Sequence, residues 1–108
     1  MNQPTNLCSV TVPVKWFREP VDVWITEGSP HLLSCEAEGF PHPIVILSRL
    51  TKQGRKELSR GVKTASFNLS SNVSQNEEDH FLCESSNEAA KLEKEFKVHV
   101  HGQSLPLS

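Results

Sequence analysis

The chain has 108 residues, near the commonest size for one domain, and its 36% hydrophobic content is low enough that a covalent staple would help it. Eleven basic and 13 acidic residues give a net charge of -2, which makes no electrostatic case for nucleic acid or an anionic membrane. No apolar run is long enough to span a bilayer, and no charged-then-apolar leader is present. Met1 is followed at once by polar residues and reads as the start of an excised domain, so any signal or anchor of the parent would lie outside it.

Residues 1–11 are polar, contain Pro4 and Cys8, and read as a lead-in. Val12–Phe17 reads as an edge strand, because Pro13 cannot donate to a ladder. After Pro20, Val21, Val23 and Ile25 alternate onto one face, and Trp24 takes the other. Glu27-Gly28-Ser29-Pro30 is a turn by composition. His31–Ala37 follows as a strand with Leu33, Cys35 and Ala37 inward. Beyond the stiff loop Gly39–Pro43, Ile44–Leu47 is a continuous apolar strand. Val45 and Leu47 are expected inward, with Ile44 and Ile46 outward.

Thr51–Arg60 is hydrophilic and reads as a loop with at most one short strand. Ser66–Ser70 alternates with Phe67 and Leu69 inward, and Val73 is a further inward contact. Glu77-Glu78-Asp79 reads as an acidic turn, with one helical turn over Gln75–Asp79 the most helix expected. His80–Ser85 carries Phe81, Cys83 and Ser85 on one face and Leu82 on the other. Asn87–Ala90 makes a hairpin turn. The last strand sets Leu92, Lys94, Phe96, Val98 and Val100 against Glu93, Glu95, Lys97, His99 and His101, with Lys94 the polar exception inside. Residues 102–108 read as a linker or tail, leaving 12–101 as the domain. About seven short strands with turn signals roughly every 8–12 residues imply an all-β antiparallel sandwich.

The three cysteines are Cys8, Cys35 and Cys83, and an odd count suggests one pair and one leftover. If Cys35 bonds Cys83, the sandwich is pinned through its centre. Closing the loop of about 47 residues between them is worth about 4 kcal/mol. The alternative is two buried reduced thiols in a cytosolic domain.

The runs Glu27-Gly28-Ser29, Cys35-Glu36-Ala37-Glu38-Gly39-Phe40-Pro41-His42-Pro43 and Phe81-Leu82-Cys83-Glu84-Ser85-Ser86-Asn87 resemble the immunoglobulin superfamily. The match covers about Pro20–Val100, is of the short I-type or C2-type, and is similar to domains of vascular cell adhesion molecule-like surface proteins. The resemblance implies a Greek-key sandwich, with no room between the cysteines for the two extra strands of a variable-type domain. Two departures stand out. Leu47 occupies the slot where the family has a tryptophan, with Phe40, Phe67 and Phe96 as candidates to fill the space. Phe81 occupies the slot of the family's corner tyrosine, and Asp79 that of its glycine. Relatives that engage integrins present an acid after an aliphatic residue beyond the third core strand. Here Glu57 follows Lys56, so that motif fails.

No nucleophile elbow, phosphate loop or paired-carboxylate pattern is present, and no catalytic activity is expected. His99 and His101 share a face, with His80 or Glu95 as further donors, but two ligands at that spacing fall short of a metal site. No cofactor is expected. Asn68-Leu69-Ser70 and Asn72-Val73-Ser74 are glycosylation sequons. Ile44, Ile46 and Leu82, with Trp24 as a second candidate, are the expected partner-binding residues on an outer sheet face. The sequence therefore reads as a non-catalytic extracellular module of a cell-surface or secreted adhesion or receptor protein. Its partners are another protein or neighbouring immunoglobulin domains, with no nucleic acid and no membrane insertion of its own. The alternative is a structural immunoglobulin domain of an intracellular muscle-type scaffold.

Overall fold

The computed structural model describes residues 10–26, 30–69 and 78–101. Cys8, Glu27–Ser29, Asn72, Val73, Glu77 and the tail from Gly102 lie outside the described residues. Eight strands are described: β1 (Val12–Arg18), β2 (Val23–Thr26), β3 (His31–Phe40), β4 (Ile44–Thr51), β5 (Gly54–Val62), β6 (Thr64–Leu69), β7 (Glu78–Ser86) and β8 (Lys91–His101). They form two sheets, β1-β3-β6 and β2-β8-β7-β4-β5. All pairings are antiparallel except β2 with β8. Pro20 ends the first pairing, and the chain then crosses from one sheet to the other.

The inner faces follow period-two alternation. Leu33, Cys35 and Ala37 from β3 meet Val45 and Leu47 from β4, Phe81 and Cys83 from β7, and Phe96, Val98 and Val100 from β8. Ser85 is also buried, as its place on the Phe81 face requires. Cys35 and Cys83 are joined across the sheets with Cα atoms 6.4 Å apart, and both are fully covered. Leu47 sits directly opposite Cys83 and is fully buried. Phe81 stacks on Phe96, ring centroids 5.6 Å apart, and the Arg49 guanidinium lies over the Phe81 ring at 5.3 Å. Lys94, paired with Cys83 in the ladder, carries its Nζ to Glu19 Oε2 at 2.9 Å, on the segment that crosses between the sheets.

Several expectations are corrected. The stretch expected as a loop with one short strand instead holds a nine-residue strand, residues 54–62. As the outermost strand of the larger sheet β5 buries almost nothing, so it shows no hydrophobic alternation to read. One of the two extra strand positions of variable-type domains is thereby occupied, despite the short gap between the cysteines. Glu78 and Asp79 begin β7 and are not a turn. Val21 is 65% exposed, because β2 starts only at Val23 and the crossing segment lies outside the core. Phe40 is 50% exposed at the end of β3 and edge-on to His42, so of the three candidate fillers Phe96 is buried and Phe67 half-buried.

Two turns fix the position of β5. Gly54 adopts φ +123°, and Thr51 closes the turn by donating its hydroxyl to the Gly54 carbonyl and accepting from the Gln53 N–H. At the other end Lys63 takes φ 71°, a left-handed conformation unusual for lysine. It is held there by its N–H donating to Pro43 and its carbonyl accepting from Ala37, both at 2.9 Å. A Cβ on Gly61 would strike the Thr64 carbonyl oxygen, so the tight return to β6 requires glycine.

Candidate recognition surface

The outer face of the five-stranded sheet carries the four expected partner-binding residues, but it does not gather them. Trp24 lies on edge strand β2, opposite His99 on β8, which in turn faces Glu78 at the start of β7. Ile44 lies on β4 opposite Ser86, at the other end of β7. Three strand spacings and about eight residues of rise separate the two, roughly 30 Å.

Leu82 is corrected outright: it is only 9% exposed. It sits in the middle of the sheet between Ser48, itself buried, and Glu95. Long side chains on its flanks are drawn into ion pairs over the face. Arg55 Nη1 meets Glu84 Oε2 at 2.8 Å, and Lys91 Nζ reaches the same oxygen at 3.8 Å. Arg60 grips Glu57 through two bonds of 2.9 and 3.1 Å, and His80 Nδ1 lies 3.3 Å from Glu95 Oε2. The paraffin stems of such residues cover apolar surface while their heads stay wet. Hydrogen bonding to Glu84 raises the pKa of Arg55. The Arg60 contact holds Glu57 below the ordinary carboxylate value and raises Arg60 in turn. These pairs are solvent-screened and contribute little to stability.

Trp24 is 60% exposed, yet its ring is fixed by stacking on His99 at 4.6 Å and 16°. Asp22 organises this corner. Its Oδ1 accepts the Lys97 N–H at 3.0 Å, and its Oδ2 lies 3.7 Å from His99 Nε2. The backbone hydrogen bond from Lys97 is the main reason the Asp22 carboxyl titrates below its ordinary value. His99 and His80 thus have separate acidic neighbours, and among the described residues no three metal-ligating side chains come together.

At the opposite corner Ile44, 38% exposed, pairs with Val62, 56% exposed. Ile46, next to them, is half-buried beside Glu84 and Arg60. Val62 also walls a groove of about 430 Å³ shared with Phe17, Ala37, Glu36, Glu38, Lys63 and Thr64. Val62 thus links exposed Ile44 on the outer face to a groove whose other large apolar wall is exposed Phe17. Sequence reasoning missed Val62 because its strand carries no alternation. Its one legible signal was the pairing of a β-branched residue with an apolar strand across a short hairpin.

Asn87 knits this end together. Its Nδ2 donates to the Val12 and Pro41 carbonyls at 2.8 and 3.1 Å, while its Oδ1 accepts the N–H groups of Ala89 and Ala90. One side chain thereby ties the start of β1, the β3–β4 loop and the β7–β8 hairpin. Asn68 is exposed on the outer face of the smaller sheet opposite Leu32.

The chain is 30% identical over 93 residues to rat (Rattus norvegicus) vascular cell adhesion protein 1, a match covering 81% of this chain and 12% of that protein. It is 31% identical over 85 residues to the Drosophila melanogaster cell adhesion molecule Dscam1, covering 72% of this chain and 4% of that protein. The chain is an immunoglobulin-superfamily domain. No protein-family model matches it. A solved complex of titin M10 with an obscurin-like 1 immunoglobulin domain superposes with a TM-score of 0.66 at 19% identity, covering 89% of this chain and 100% of that one. That likeness concerns the fold. This immunoglobulin domain thus spans a small fraction of the adhesion proteins it matches.

Proposed function

We propose that this domain is a non-catalytic, extracellular recognition module of a cell-surface adhesion or receptor protein. The observation that carries the reading is the Cys35–Cys83 bond through a fully covered core, a form of staple that persists in oxidising compartments. The adhesion-protein relatives support it, and so does an exposed Asn68 within a sequon. Recognition is assigned to the corner of Ile44 and Val62, with half-buried Ile46 beside it, and separately to the preorganised Trp24. A rigid aromatic held by a stacked neighbour loses little entropy on docking. The partner is a protein, whether a ligand on another surface or a neighbouring immunoglobulin domain.

The competing assignment is an intracellular load-bearing domain. Mass spectrometry of the protein from its native source, before and after reduction, separates the two. The extracellular reading expects an intact Cys35–Cys83 bond and glycan on Asn68. Two free thiols with an unmodified Asn68 would refute it.

A further inference from the structure

We propose that β5 and the turns at its ends bind a linear sulfated polysaccharide. The choice of a glycan among polyanions rests on the extracellular reading above. The net charge of -2 conceals a strong segregation. Positions 52–63 hold Lys52, Arg55, Lys56, Arg60 and Lys63 against a single acid, Glu57. That segment carries +4, which leaves -6 for the remainder of the chain.

All five cations are exposed. Arg55 and Arg60 project from the outer face of the outermost strand of the larger sheet and Lys56 from its other face, while Lys52 and Lys63 sit in the turns at its ends, so the five charges border one edge roughly 30 Å long. The far edge of β5 has no partner strand among the described residues. Arg55 and Arg60 are engaged by Glu84 and Glu57. Among the described residues Lys52, Lys56 and Lys63 meet no carboxylate, whereas Lys15, Lys91 and Lys94 each do. Lys63 holds its charge at a left-handed position that glycine would take without strain.

A row of unneutralised point charges fits a polymer with regularly spaced anions, which it binds by releasing condensed counterions. The strand offers no aromatic side chain on which bases could stack, so single-stranded nucleic acid is the poorer match.

The test is binding of the full chain to immobilised heparin across a salt series, with thermal melts to show that each variant folds. The wild-type affinity should fall steeply with salt. The triple substitution K52S/K56S/K63S should reduce the slope of log affinity against log salt by roughly three, about one for each lysine. It should weaken binding at least about tenfold. The charge-matched K15S/K91S/K97S should change that slope by less than about one. Glu57→Gln, which releases Arg60, should tighten binding. Equal losses from both triple variants would overturn the assignment to β5. Equally tight binding of single-stranded DNA of matched charge would overturn the glycan. Unchanged heparin binding with new aggregation in the first triple would mean that the lysines only keep the edge from pairing, and would also overturn it. The compartment reading fails on mass spectrometry and this proposal on the salt series, so the two failures are separable.

Discussion

Breaking the Cys35–Cys83 bond should remove a large share of this domain's stability. The cysteines are 48 positions apart in sequence, and closing a loop of that size lowers the entropy of the unfolded chain by an amount worth about 4 kcal/mol at room temperature. Domains of this size are stable by only about 5–15 kcal/mol in total. Leu47 also lies opposite Cys83, in the slot where the family has a tryptophan, and the stacked pair Phe81 and Phe96 shares the core with the bond. The assay is urea unfolding followed by tryptophan fluorescence, on the oxidised protein, the reduced protein and the Cys35→Ala/Cys83→Ala variant. With a urea dependence near 1.5 kcal/mol per molar, the midpoint should fall by about 2–3 M in both perturbed forms. A shift below about 0.5 M in the reduced protein, with its circular dichroism unchanged, would refute the reasoning and leave the apolar core as the sufficient determinant.

Three further outcomes follow from single side chains. Asn87→Ala removes four hydrogen bonds at the junction of β1, the β3–β4 loop and the last hairpin, and should cost about 1–3 kcal/mol by urea unfolding. A loss below about 0.5 kcal/mol would mean that water replaces those bonds without penalty. Leu82→Asp should destabilise severely because that position is 9% exposed, whereas Ile44→Asp, at 38%, should leave the melting temperature nearly unchanged. Identical melts for the two variants would contradict the burial. Asp22 has a depressed carboxyl pKa, so its contribution is present above the ordinary carboxylate range and is lost as pH falls through its lowered value. Asp22→Asn should therefore flatten stability loss below about pH 4 and leave the slope above about pH 5 unchanged, read from melts across pH. An unaltered acid limb would show that other carboxylates set it.

The inner faces were legible because period two is a local property of each strand. Leu33, Cys35 and Ala37, Val45 and Leu47, Phe81 and Cys83, and Phe96, Val98 and Val100 all turn inward where alternation puts them. Trp24 and Ile44 turn outward for the same reason. The candidate site was less legible. Alternation says which way Leu82 points, but not that ion-paired neighbours on both flanks close over it.

The sequence by itself determined a two-sheet sandwich and the faces of its strands, since both follow from short-range pattern and turn chemistry. The tertiary structure alone decided which sheet each strand joins, and with it the rest of the surface. It made β5 an edge strand, where the absence of burial erased any hydrophobic signal. It set Trp24 and Ile44 at opposite corners, and it aligned five cations of a nearly neutral chain along one edge. Sheet order depends on pairings between residues far apart in sequence, and no local periodicity encodes them.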